Sequence, residues 1–157
     1  MNCELCSTDG QGGETRCSRC GFDTTLPPDV NRFLTSLIGF RPGELLEGRY
    51  RIDRILGFGG MSVVYKAQDL RFSKVTRVCV VKEMVNTATD PQVRAMIVRS
   101  FEREANILAS LNHPGIVQVY DFFSEVARSY FVLEYVDGHD LEVVLAETHS
   151  FHSGERV

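Results

Sequence analysis

Two groups of residues in this sequence have types and spacings that can do chemistry. The first is Cys3-x2-Cys6 and Cys17-x2-Cys20, two CxxC pairs separated by ten residues. Each CxxC forms a tight turn that aims two thiolates at one point, and Gly21 after the second pair permits that turn. Glu4 and Leu5 fill the first turn, and Ser18 and Arg19 fill the second. Four thiolates converging in this way suit a tetrahedral structural zinc site. The segment 1–25 is rich in Cys, Gly, Ser, Thr and Asp and too poor in apolar residues to fold unaided. Metal binding would therefore supply its folding free energy, on the order of 10 kcal/mol. Two redox pairs and a four-thiolate iron site are competing readings of the same spacing, although redox CxxC chemistry needs a βαβ context that is missing here. Cys79, the fifth cysteine, reads as a small apolar residue in a strand.

The second group is spread over some fifty residues. Gly57-Phe58-Gly59-Gly60-Met61-Ser62 lies between two strand-like runs. Glycines there let the backbone turn sharply and bring its N–H groups close to phosphate oxygens with no Cβ in the way. An ordinary Gly-rich hairpin turn is the plain competing reading. The loop is not followed by Gly-Lys-Ser/Thr, so it is no Walker A loop, and it joins strand to strand, unlike a dinucleotide fingerprint. Lys82 ends the apolar run Cys79-Val80-Val81-Lys82, and its flexible stem can carry an ammonium to phosphates or simply to solvent. Glu104 is three residues after Phe101 and four before Leu108, beside the expected buried stripe of a helix. Glu102 is turned about 200° away from it, so only one of the two faces the sheet.

Those residues need elements to hold them. Tandem prolines at Pro27-Pro28 break the chain after the cysteine segment. A short helix is predicted next, capped by Asp29, with Val30, Phe33, Leu34, Leu37 and Ile38 on one face and Gly39 ending it. Strands are predicted over Tyr50–Leu56, Ser62–Ala67 and Val75–Glu83, the last dense in β-branched residues. From Asp90-Pro91 to Leu111 the period becomes helical, with Val93, Ile97, Phe101, Ala105, Leu108 and Leu111 in the stripe. His113-Pro114-Gly115 stops that helix, Ile116–Phe123 and Tyr130–Tyr135 read as two further strands, and Leu141, Val144 and Leu145 open another helix. The division expected is 1–25 zinc ribbon, 26–47 linker with an amphipathic helix, and 48–157 the main α+β domain.

Five runs in this order carry a resemblance. They are Leu56-Gly57-Phe58-Gly59-Gly60-Met61-Ser62, Val80-Val81-Lys82, Phe101-Glu102-Arg103-Glu104-Ala105, Leu111-Asn112-His113-Pro114-Gly115-Ile116-Val117 and Val132-Leu133-Glu134-Tyr135-Val136-Asp137-Gly138. Together they resemble the N-terminal lobe of bacterial eukaryotic-like serine/threonine protein kinases, from about Tyr50 to Leu145. The resemblance implies a five-stranded antiparallel sheet plus helix αC, and it implies roles. Gly57, Gly59, Gly60 and Ser62 belong to the loop over the phosphates of ATP, with Leu56 and Val64 above the adenine. Lys82 and Glu104 are similar to the family's lysine–glutamate pair, and Leu133 to its gatekeeper. Glu134 and Val136 would offer hinge backbone groups, and Asp140 would meet the ribose. Ser62 replaces the family's third glycine, a change common in the bacterial branch. Val80 stands where the family has an alanine in the adenine roof, and its two extra methyls would narrow the pocket unless a small strand shift absorbs them. Zinc ribbons precede some kinases of this type.

The family's catalytic loop and Asp-Phe-Gly segment do not occur before Val157, so the C-lobe is expected to be absent and this chain alone inactive. Magnesium is expected only in the complete kinase, where protein substrates are also bound. A non-catalytic zinc-ribbon and kinase-like module for nucleotide or partner binding is the main alternative.

The totals fit. The chain has 157 residues, 43% hydrophobic and 24% charged, with net charge −4. Its isoelectric point near 5.6 argues against a nucleic-acid adaptor. No apolar run approaches the roughly 20 residues that span a bilayer. Met1–Asp9 has no signal-peptide character, so the cytoplasm is the expected compartment.

Overall fold

Alternation of buried and partly exposed side chains is unbroken along residues 62–69, where Val63, Tyr65, Ala67 and Asp69 turn one way. That period of two is what a strand with two unlike faces requires. The computed structural model describes Cys17 and residues 25–59, 62–72, 74–125 and 127–138. Among these the elements run α1 (Pro28–Leu37), β1 (Leu45–Leu46), β2 (Tyr50–Gly59), β3 (Ser62–Asp69), β4 (Arg77–Val85), α2 (Pro91–Ser110), β5 (Val119–Glu125) and β6 (Arg128–Glu134). The strands form one antiparallel sheet in the order β1-β2-β3-β4-β6-β5.

The five expected strands are present, and the sheet has a sixth. β1 holds only two residues, too few to show a period, and pairs with β2 through Leu45–Arg51 and Leu46–Tyr50. A tight turn makes it: Glu47 and Gly48 both have positive φ, 53° and 60°, and the Arg49 N–H donates to the Leu46 carbonyl at 3.0 Å.

Helix α1 departs from expectation at its start. Asp29 does not cap it; the helix begins at Pro28, behind Pro27, with no side-chain cap, and Asp29 sits in the first turn, where a negative charge suits the helix dipole. Of the expected stripe, Leu37 is buried and Ile38 packs against the core, but Phe33 is 51% exposed. Helix α2 does start at Pro91, with the Asp90 carboxylate accepting from the Gln92 and Val93 amides at 2.7 and 3.1 Å. Its buried residues are Phe101 and Ala105, while Val93 and Leu111 at the ends of the expected stripe are exposed. Twenty helical residues span about 30 Å. The two strands it rests on, β5 and β6, are far narrower than that.

The sheet curls until its far strands meet. Arg49, just before β2, donates to Asp121 on β5 at 2.8 Å, and the Tyr50 hydroxyl reaches the same carboxylate at 2.8 Å. The Tyr50 and Phe123 rings stack at 6.3 Å. Arg49 also clamps Asp69 at the end of β3 through two bonds of 3.0 and 2.9 Å. Inside the curl lies the larger core, built on Tyr50, Ile52, Ile55, Val63, Tyr65, Val81, Tyr130 and Val132. The other face carries a smaller cluster in which Phe101 and Ala105 of α2 meet Phe131.

Candidate nucleotide site

Residues paired directly across antiparallel strands share a face of the sheet. One transverse row reads Gly57, Val64, Lys82, Phe131, Phe122, and the next reads Arg54, Lys66, Val80, Leu133, Val119. Both rows lie on the face that receives α2, the side away from the core enclosed by the curl; this helix-covered side is the inner face, inner with respect to α2. Five residues named from the sequence therefore fall together: Gly57, Val64, Lys82, Val80 and Leu133. Leu56 sits beside them at an irregularity in β2, where the register slips between Ile55 and Gly57. A Cβ built on Gly57 meets nothing within 4 Å, so the row opens onto free space at that point. Gly59 and Ser62 pair as the last rung of the β2–β3 hairpin, while Gly60 and Met61 lie outside the described residues.

Helix α2 brings Glu104 to this face. Its Oε1 stands 3.9 Å from the Lys82 ammonium, with side chains 52% and 35% exposed. At that separation and exposure the pair adds at most about 1 kcal/mol, so it orients the lysine more than it stabilises the fold. The helix phase that favours Glu104 is fixed by Phe101, whose ring lies 4.1 Å from Phe131 and 5.8 Å from Phe122. The loop feeding the helix is also fastened. Buried Asn86 donates to the Arg94 carbonyl at 3.0 Å and accepts from the Ala88 amide at 3.2 Å.

At the other end of the face, β6 runs out through Glu134 into Tyr135, Val136 and Asp137. The Glu134 amide donates to the Gln118 carbonyl at 2.8 Å, and its carboxylate accepts from the Gln118 amide at 3.2 Å. With its N–H engaged by Gln118, just ahead of β5, the group that Glu134 has to offer a ligand is its carbonyl. Val136 is 63% exposed. Asp140 lies outside the described residues, as do Cys3, Cys6 and Cys20; Cys17 is described and half-buried. Among the described residues no three His, Cys, Asp or Glu side chains gather as a metal site, and no helix is long and apolar enough to cross a membrane.

Sequence reasoning missed two functional neighbours. Lys66 is two residues after Val64, so the period of two places it on the inner face; its ammonium lies 4.4 Å over the Tyr135 ring where the chain leaves β6. Glu83, beside Lys82, turns to the opposite face and is fully buried, accepting from the Tyr65 hydroxyl at 2.5 Å and from the Gly39 amide at 3.0 Å, with Arg128 as its ion-pair partner. Burial, and then the Glu83 charge, pushes the Tyr65 phenol well above its ordinary range. Burial likewise raises the Cys79 thiol, to about 11.

A curled antiparallel sheet, one helix whose glutamate reaches a strand lysine, and a glycine-containing hairpin that shares the lysine's row together define the N-terminal lobe of a protein kinase. The family model described as the protein kinase domain matches residues 50–156, and the chain belongs to that family. It is 41% identical over 116 residues to the probable serine/threonine-protein kinase SCO3848 of Streptomyces coelicolor, covering 71% of this chain and 16% of that protein. It is 34% identical to the serine/threonine-protein kinase PrkC of Bacillus subtilis over 72% of this chain and 16% of the relative. Against serine/threonine-protein kinase PknA of Mycobacterium tuberculosis it is 37% identical, covering 69% of this chain and 25% of the relative. A solved chain described as the apo form of PpkA-294 superposes with a TM-score of 0.60 at 24% identity, over 69% of this chain and 42% of that one. The chain thus spans a quarter or less of these curated relatives.

Proposed function

We propose that the inner face is the ATP site of a cytoplasmic serine/threonine protein kinase, whose complete form transfers the γ-phosphate to protein substrates. The observation that carries this reading is the Lys82–Glu104 pair, 3.9 Å apart on the row that begins at Gly57. In this reading the Lys82 ammonium holds the α- and β-phosphates and Glu104 keeps it aimed. The amides of Gly57, Gly59, Gly60 and Ser62 cover the phosphates from above. Leu56, Val64, Val80 and Leu133 sandwich the adenine, the Glu134 carbonyl and Val136 amide read its edge, and Asp140 meets the ribose. Phosphoryl transfer depends on positioning and on neutralising charge, and the catalytic aspartate and magnesium ligands that do this in the family are not among these residues. This chain alone therefore binds nucleotide without cleaving it. Upstream, Cys3, Cys6, Cys17 and Cys20 hold a structural zinc.

Titration of the chain with ATP tests the site. Lys82→Ala removes one charge-assisted contact to phosphate, so affinity falls by roughly ten- to a hundredfold, the equivalent of about 1.5–3 kcal/mol. Unchanged affinity in that variant removes Lys82 from its role.

A further inference from the structure

Strand β4 carries two charged neighbours with opposite surroundings. Lys82 faces the inner side with Glu104, while Glu83 points into the curl at 0% exposure. A carboxylate so buried needs partners, and it takes one of them from outside the sheet. The Gly39 N–H donates to it at 3.0 Å and to the Tyr65 hydroxyl at 3.1 Å. Arg128, the ion-pair partner of Glu83, donates in addition to the Leu37 carbonyl at 3.2 Å. The chain leaving α1 is thereby fastened on both sides of Ile38. Leu37 is buried in the larger core, and Phe40 sets its ring edge-on to Tyr65 and Tyr130, at 6.2 and 6.0 Å. A Cβ at position 39 would run into the Glu83 carboxylate and the Arg128 guanidinium, so any larger residue there must push that buried ion pair aside.

The seat lies at the glycine-loop end of the sheet. Ser62, which pairs with Gly59, pairs on its other side with Met84, and Met84 pairs with Ser129. Phe58, from the middle of the glycine loop, pairs with Val63 and packs against the same core as Leu37 and Phe40. Two connections therefore run from the seat to the inner face. One passes through the shared core to Phe58 and the loop. The other passes along β4, where the period of two ties the direction of Lys82 to that of its pinned neighbour.

We infer that the Leu37–Phe40 segment is a strut that positions the glycine loop and Lys82 for nucleotide, with Glu83 as the positioning residue that locks it in place. The inference rests on reading the inner face as the ATP site. Lifting the strut withdraws the Gly39 N–H from Glu83 and Tyr65 and uncovers the core beneath Phe58, so the loop loses its support without any change to a residue of the inner face. Coupling of this kind is reciprocal: nucleotide bound on the inner face tightens the strut by the same factor by which the strut tightens nucleotide.

The test uses the full chain, with ATP as the probe, and reads two quantities: ATP affinity and hydrogen exchange of the Gly39 and Phe40 amides with and without ATP. The variants are Gly39→Ala, whose methyl displaces the Glu83–Arg128 pair from the strut, and Glu83→Gln, which keeps the volume and removes the charge. Asp121→Asn serves as the control, since it weakens the far end of the curl. The expected result is a loss of affinity of roughly tenfold in Gly39→Ala and a smaller loss in Glu83→Gln. ATP slows exchange at Gly39 in the unaltered chain, and Asp121→Asn binds ATP normally despite a lower melting temperature. If Gly39→Ala fails to fold, the decision falls to Glu83→Gln and to the ATP-dependent exchange of the unaltered chain. Unchanged ATP affinity in the folded strut variants, or no ATP-dependent protection at Gly39, overturns the coupling. If Lys82→Ala also binds ATP normally, the reading of the inner face falls, and the coupling falls with it; loss in Lys82→Ala alone isolates the failure to the strut.

Discussion

Phe101→Ala is expected to detach helix α2 while leaving the sheet folded. The helix buries only Phe101 and Ala105 fully, each 4% exposed, so one side chain supplies most of its attachment. Burying a phenylalanine contributes about 2–3 kcal/mol and a methyl about 0.8 kcal/mol. The rings of Phe122 and Phe131, at 5.8 and 4.1 Å, add roughly 0.5–1.5 kcal/mol for each pairing. Truncation to Ala therefore removes about 3–5 kcal/mol, including the cavity left behind. The Lys82–Glu104 pair, worth at most about 1 kcal/mol, cannot compensate. A docking free energy lowered by about 3 kcal/mol raises the population of the undocked helix by more than a hundredfold. Site-resolved hydrogen exchange is the assay. Amides of residues 101–110 should exchange at least a hundredfold faster, whereas those of β3 and β4, whose core lies inside the curl, should change far less. Uniform acceleration over helix and sheet would refute the reasoning, because it would mean that the two form one cooperative unit. No acceleration in the helix would refute it equally, because attachment would then lie outside the Phe101 seam.

Three further outcomes follow from the chemistry of single groups. Burial raises the phenols of Tyr50, Tyr65 and Tyr130 above their ordinary value, with Asp121 adding to the first and Glu83 to the other two. A raised folded-state pKa means that the unfolded phenols ionise first. Stability is thus whole below about pH 10 and falls above it, by up to about 4 kcal/mol per pH unit for three groups; a urea midpoint that stays constant to about pH 11 contradicts this. Cys79, buried and with its thiol raised to about 11, should resist iodoacetamide near neutral pH in the native chain and react in urea, read by mass spectrometry of its tryptic peptide. Early labelling of that peptide under native conditions would count against its burial. Metal analysis of the purified chain should find one zinc, lost together with any one of Cys3, Cys6, Cys17 or Cys20 when replaced by Ser; two intact disulfides and no metal would end the zinc reading.

The strands and the long helix were legible because their core residues repeat at the right period, as Val63, Tyr65 and Ala67 do along β3. Helical phase, with Phe101 as the buried reference, set Glu104 rather than Glu102 beside the stripe, and the family resemblance supplied Lys82 as its partner; the two side chains stand 3.9 Å apart. What the sequence hid has physical reasons. Strand β1 is made by a turn, not by a pattern, and two residues cannot display alternation. An apolar stripe tells which side of a helix is greasy but not how far its partner extends, so Val93 and Phe33 were placed in contacts that the sheet is too small to provide. Glu83 was invisible because a charged residue near a strand end ordinarily faces water. Its burial depends on Arg128, 45 residues away in sequence, and on a backbone amide that carries no sequence signature.

The curl that brings Arg49 and Tyr50 to Asp121 has a consequence for how these molecules meet one another. An open sheet invites a neighbour's strand wherever a row of backbone donors and acceptors lies bare. Here one margin is β1, two residues long and set by a turn, which leaves almost nothing to template a new rung. The opposite margin is β5, bent back toward β2 and carrying Asp121 and Glu125, with a register irregularity between Val119 and Asp121. A short border on one side and a charged, bent one on the other keep copies of the lobe from stitching themselves into a continuous ribbon.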